Sequence, residues 1–156
     1  MKPPFALLIL TFALSGLLAT TGRAEDVPLQ VTGGWVQAVP PGVSDSAAFF
    51  RITNPTDQLF ELVSARTPIA GSVDPMVTTR DDKGRAGMEP VTGLRIPAHG
   101  ELILQPGGDH LMLMSLHEHL QPGENVAMVL IINPGRREMQ VSLPVLQHAP
   151  RKDAQH

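Results

Sequence analysis

The chain has 156 residues with 12 lysines and arginines, 15 acidic residues and no cysteine, so its formal net charge is −3. This acidic balance argues against nucleic acid or an anionic lipid surface as a partner. Without cysteine the protein has no disulfide and no thiolate metal ligand, and any soft ligand must come from its seven methionines.

Residues 1–24 have the layout of a secretory signal peptide. Lys2 precedes an apolar run over residues 5–19, and small residues lead to Ala24. The run is shorter than the roughly 20 apolar residues that a membrane-spanning helix needs. We predict cleavage after Ala24, export to the periplasm and no membrane insertion of the mature chain. That chain is predicted to be one domain over residues 25–146 with a flexible tail over residues 147–156.

Fifteen prolines and 14 glycines interrupt the sequence too often for a long amphipathic helix. Short β-branched or alternating segments recur between them, which is typical of an all-β protein. In chain order the predicted strands are 29–37, 47–53, 59–65, 73–79, 94–96, 101–105, 110–113, 126–133 and 139–145. The polar segment 79–87 is predicted to be a loop. Short antiparallel strands at this spacing form a β-sandwich or barrel.

One spacing of potential metal ligands is the most informative feature of the chain. Met88 is followed, after 21 residues, by His110, Leu111 and Met112. Alternate side chains of an extended segment share a face, so His110, Met112 and Met114 should project together. Thioether and imidazole ligands suit Cu(I) better than Zn, Mg or Ca. A single methionine on a strand more often fills a core, so the joint spacing carries the prediction.

With this spacing and the Gly107 to Leu116 run, the chain resembles the PCuAC family of periplasmic copper chaperones. The resemblance covers most of the mature chain, including Trp35, residues 40–42, residues 47–54 and residues 93–98. It implies a cupredoxin-like antiparallel β-sandwich or barrel and a Cu(I) site at Met88, His110 and Met112. The family keeps a methionine at the position of Met114 that is not counted among the ligands.

The first histidine of the family pattern is missing from this sequence. Val77 has the family spacing of ten residues before Met88, but valine cannot bind copper. One extra residue in the 79–87 segment would bring Met76 to the histidine position, and we favour this alignment because solvated loops tolerate insertion. The predicted ligand set is Met76, Met88, His110 and Met112. The alternative is a degenerate family member that acts as a structural or protein-binding β-sandwich without copper transfer.

Several further residues have more than one interpretation. The carboxylate of Asp109 could offset the charge of copper, serve a partner surface or simply belong to a turn. A second copper site at His117 and His119, or loose binding by His148 and His156 in the tail, is also left open by the sequence.

An enzyme is not expected. The chain has no cysteine, no Gly-x-Ser-x-Gly nucleophile elbow and no His-Glu-x-x-His zinc motif. A blue-copper electron carrier would need a cysteine thiolate. The family resemblance implies instead a chaperone that delivers Cu(I) to respiratory copper centres, and we expect it to be a monomer. Its implied partners are Sco-type proteins and a cytochrome oxidase subunit.

Overall fold

The structure is a computed structural model that describes residues 27–150. The predicted signal peptide lies outside these residues, as do the last six residues of the predicted tail. Between residues 27 and 150 all regular structure is β, and no helix there is long and apolar enough to cross a membrane. The ten strands are β1 (Gln30–Gln37), β2 (Ser46–Thr53), β3 (Phe60–Arg66), β4 (Ala70–Arg80), β5 (Ala86–Pro90), β6 (Leu94–Ile96), β7 (Glu101–Ile103), β8 (His110–Leu116), β9 (Asn125–Asn133) and β10 (Arg137–Leu146).

Seven of the strands close into a barrel. Their order is β4, β8, β2, β1, β10, β9 and β3, and the ring closes where Ala65 of β3 pairs with Val73 of β4. β5, β6 and β7 add to the edges of β4, β3 and β2. The β1–β10 pair is parallel and the other pairs are antiparallel.

The interior of the barrel is filled by alternate apolar residues, as the period of two in a half-buried strand requires. Leu111 and Leu113 project inward from β8, and Val73 projects inward from β4 opposite Leu113. Each is at most 2% exposed. Because neighbouring residues of a strand alternate between faces, His110, Met112 and Met114 of β8 lie on the outside of the barrel.

All nine predicted strands are present, with shifts of a few residues at their ends. The prediction of a loop over residues 79–87 was wrong in part, because β4 continues to Arg80 and β5 begins at Ala86. The tight turn between them is held by the Asp81 carboxylate, which accepts hydrogen bonds of 2.9 Å from the backbone N–H groups of Lys83 and Arg85. These bonds, with the ion pair from Arg85, lower the pKa of Asp81.

Candidate metal centre

The strand register places the four predicted ligands on one outer face of the barrel. Met76 of β4 lies directly opposite His110 of β8, and Met112 is one step further along the same pair. Met88 of β5 lies opposite Thr78, which is the next residue of β4 on this face. Opposed residues of an antiparallel pair share a face. Met76, Met88, His110 and Met112 therefore form a continuous patch, which we call the ligand face.

Val77 points the other way. It is partly buried and packs against the core cluster, together with the inward residues of β4. Of the two residues that could occupy the position of the missing family histidine, only Met76 is thus on the same face as His110.

His110 is held in one orientation by its surroundings. Its side chain is buried, and Nδ1–H donates a hydrogen bond of 3.0 Å to the carbonyl oxygen of Gly108. The same carbonyl accepts the Thr78 hydroxyl at 2.7 Å, which fixes the turn before β8 against β4. Because a carbonyl can only accept, Nδ1 carries the hydrogen of this bond, and in the neutral imidazole the free lone pair is then on Nε2. Metal-binding histidines characteristically donate a hydrogen bond in this way from the ring N–H that does not bind the metal.

The thioethers differ in exposure. Met76 and Met112 are partly buried, whereas Met88 on the edge strand is 57% exposed and contacts His110. The ligand face therefore has a protected nitrogen at its base and an accessible sulfur at its rim. Such an arrangement can hold a soft ion and still expose it to another protein.

An aromatic pair borders His110 on the side away from β4. The Phe49 ring lies 6.2 Å from the His110 ring, and Trp35 lies 4.8 Å from Phe49 between ring centroids. Both aromatic residues are buried but lie outside the main core cluster. Phe49 thus lies beside the imidazole, and Trp35 packs against Phe49. Sequence reasoning used both only as marks of the family, because nothing local in the sequence says that β2 lies beside β8.

Two carboxylates lie near the candidate ligands. Asp109 Oδ1 accepts the backbone N–H of Thr78 at 3.4 Å, so this carboxylate supports the turn before β8. Asp74 lies on the ligand face directly opposite Met112 and accepts the Ser72 hydroxyl at 3.1 Å. Sequence reasoning missed Asp74, although its position two residues before Met76 was a usable signal.

The other histidines do not join the ligand face. His117 and His119 are exposed beyond the end of β8, and His119 Nε2 lies 2.8 Å from the side-chain nitrogen of Gln121. His148 is exposed, and His156 lies outside the described residues. Between residues 27 and 150, no three His, Asp or Glu side chains are grouped so as to hold a metal ion.

Comparisons with known proteins identify the fold and the family. The LpqE-like lipoprotein family model matches residues 29–145. The protein Lxx21020 of Leifsonia xyli subsp. xyli (strain CTCB07), named as a lipoprotein, is 32% identical over 126 residues, which are 81% of this chain and 74% of that protein.

Solved structures give the same answer. The Cu(I) form of DR1885 from Deinococcus radiodurans is 42% identical, with a TM-score of 0.63 over 83% of this chain and 85% of that one. The copper-bound PCuAC domain of PmoF2 is only 17% identical, but its TM-score is 0.65 over 80% of this chain and 95% of that domain. The described residues thus form a cupredoxin-like β-barrel domain, as predicted. The chain belongs to the LpqE-like family, which is the PCuAC family.

Proposed function

We propose that this protein is an exported copper chaperone that carries one Cu(I) ion on the ligand face. The observation that supports this best is the register that aligns Met76, Met88, His110 and Met112 on one face, with His110 Nδ1 engaged by Gly108. A relative with 42% identity has been solved with Cu(I) bound.

The chemistry of the four residues selects the oxidation state. Three thioether sulfurs and one neutral imidazole carry no formal charge, and soft ligands of this kind favour Cu(I). Cu(II) prefers more nitrogen and oxygen donors. Thioethers also suit an oxidising compartment, because they have no thiol to form a disulfide.

The exposure of Met88 supports a role in transfer. A partner that replaces Met88 first would reach the ion from the open side, while His110 and the partly buried sulfurs still hold it. We propose that such partners belong to respiratory copper-centre assembly, namely Sco-type proteins and a cytochrome oxidase subunit, and that the protein works as a periplasmic monomer. The lipoprotein names of the family model and of the Leifsonia relative support a place in the cell envelope.

A competition titration tests the proposal. The purified protein is titrated anaerobically with Cu(I) against a chromogenic chelator, and we expect one equivalent to be retained. A double variant with His110→Ala and Met112→Leu should lose this copper. The control is Met114→Leu, because Met114 lies on the same face of β8 one step beyond Met112, opposite Ser72. No uptake by the unmodified protein, or equal uptake by the double variant, would favour the degenerate-site alternative.

A further inference from the structure

One side chain of the ligand face is charged. Asp74 lies directly opposite Met112 and, two residues from Met76 along β4, on the same side of the sheet. It is partly buried, and the Ser72 hydroxyl donates to its Oδ2. Directly opposed residues of an antiparallel pair have Cβ atoms about 5 Å apart. We therefore take about 6 Å as the order of the separation between the Asp74 carboxylate and an ion bound by Met76 and Met112.

No direct ion pair in the described part of the chain neutralises this charge. None of the ion pairs found between residues 27 and 150 involves Asp74. Asp109, the other carboxylate near the site, is engaged by a backbone N–H group at the turn. The partly buried carboxylate thus lies beside a neutral set of soft ligands, and its hydrogen-bond donor among residues 27–150 is the Ser72 hydroxyl.

We propose that Asp74 supplies the counter-charge for Cu(I) and thereby sets the affinity of the site, without binding the metal itself. This inference rests on the proposed function. A carboxylate oxygen is a hard donor that Cu(I) does not prefer as a ligand. Its negative charge, however, attracts a monovalent cation at any short distance. At about 6 Å and an effective dielectric constant of about 40, the attraction corresponds to about a tenfold change in affinity.

The test compares Cu(I) dissociation constants by chelator competition. Asp74→Asn keeps the shape and removes the charge, so we expect about tenfold weaker Cu(I) binding. Asp74→Glu should restore most of the affinity. The matched control is Glu89→Gln, which removes one charge from β5 opposite Val77, on the face that does not carry the ligands. This control separates the local effect from the change in net charge.

Salt dependence separates a charge effect from a structural one. Raising sodium perchlorate from about 10 mM to 500 mM shortens the screening length from about 30 Å to a few ångströms. The affinity of the unmodified protein and of Glu89→Gln should fall with salt, and that of Asp74→Asn should fall much less. Thermal unfolding of the metal-free variants shows whether the fold is intact, and Asp74→Ser serves as the neutral variant should Asp74→Asn unfold.

The outcomes distinguish this inference from the function on which it depends. Equal Cu(I) affinity of the unmodified protein and Asp74→Asn, or an equal loss in Glu89→Gln, would overturn the role of Asp74 while leaving the copper site in place. Failure of the unmodified protein to retain Cu(I) would overturn the proposed function itself. Ag(I), a soft monovalent ion that air does not oxidise to a divalent ion, should reproduce the same order of affinities.

Discussion

Two adjacent residues of β8 should respond to substitution in opposite ways. Leu111 is completely buried inside the barrel, so Leu111→Ala removes apolar contacts and leaves a cavity that costs about 3 kcal/mol. For about 120 described residues, the entropy of unfolding is about 0.25 kcal/mol per kelvin. The expected fall in Tm is therefore about 12 °C. Met112→Leu keeps nearly the same volume at a partly buried position and should cost less than about 1.5 kcal/mol.

Copper binding should show the reverse order. Met112→Leu removes a metal ligand and should weaken Cu(I) binding by at least about tenfold, which corresponds to about 1.4 kcal/mol. Leu111→Ala leaves the outer face unchanged and should keep the affinity within about threefold at temperatures where it is folded. Circular dichroism melting and chelator competition on the same samples measure both quantities. Unchanged affinity in Met112→Leu, or a larger loss in Leu111→Ala, would refute the assignment of the outer face to copper.

Three further outcomes are expected. The Met76→His variant should still bind Cu(I), but its affinity should fall more steeply from pH 7 to pH 5, because a second imidazole must lose its proton to bind. An unchanged dependence of the affinity on pH would count against Met76 as a ligand. In peroxide oxidation followed by peptide mapping, Met88, at 57% exposure, should react early and the core residue Met128, at 1%, late. Ag(I) should protect Met88, and equal oxidation with and without Ag(I) would contradict its role. Finally, the bidentate hydrogen bonds and the charge of Arg66 lower the pKa of Glu138. This pair therefore stabilises the fold at pH values above the ordinary carboxyl pKa of 4.5. The stabilisation is lost as the pH falls through the lower pKa of the folded state. Glu138→Gln should therefore lose less Tm than the unmodified protein between pH 7 and pH 3, and equal losses would contradict the linkage.

Strands with one buried face could be predicted from local sequence, and β5 could not. The first five residues of β8 alternate histidine or methionine with leucine, so the period of two can be read directly from the sequence. All five residues of β5 are exposed, and among the described strands β5 pairs with β4 alone. Its sequence has no apolar alternation, so it was not among the predicted strands, and its first two residues belong to the segment predicted to be a loop. The pairing partner, and not the residues of β5, determines that it is a strand.

Some residues of the candidate site could be predicted from the local sequence, and others only from the order of the strands. His110 and Met112 share a strand, so their common face followed from alternation alone. The neighbours of His110 come from strands distant in sequence, because β8 lies between β4 and β2 in the barrel. No local pattern specifies that order, so the positions of Phe49 and Asp74 beside the ligand face emerged only from the register. The same register shows that Met76 lies on the outer face of β4 with His110, whereas Val77 lies on the inner face.

The central claim is that four side chains bind one Cu(I) ion on the outer face of β4, β5 and β8. A crystal structure of the Cu(I)-loaded protein, with anomalous data collected at the copper edge, tests this most directly. We expect one strong peak within bonding distance of His110 Nε2 and of the sulfur atoms of Met76, Met88 and Met112. A peak at His117 and His119, or a copper ion on the ligand face with the Met76 sulfur turned away, would contradict the proposed site.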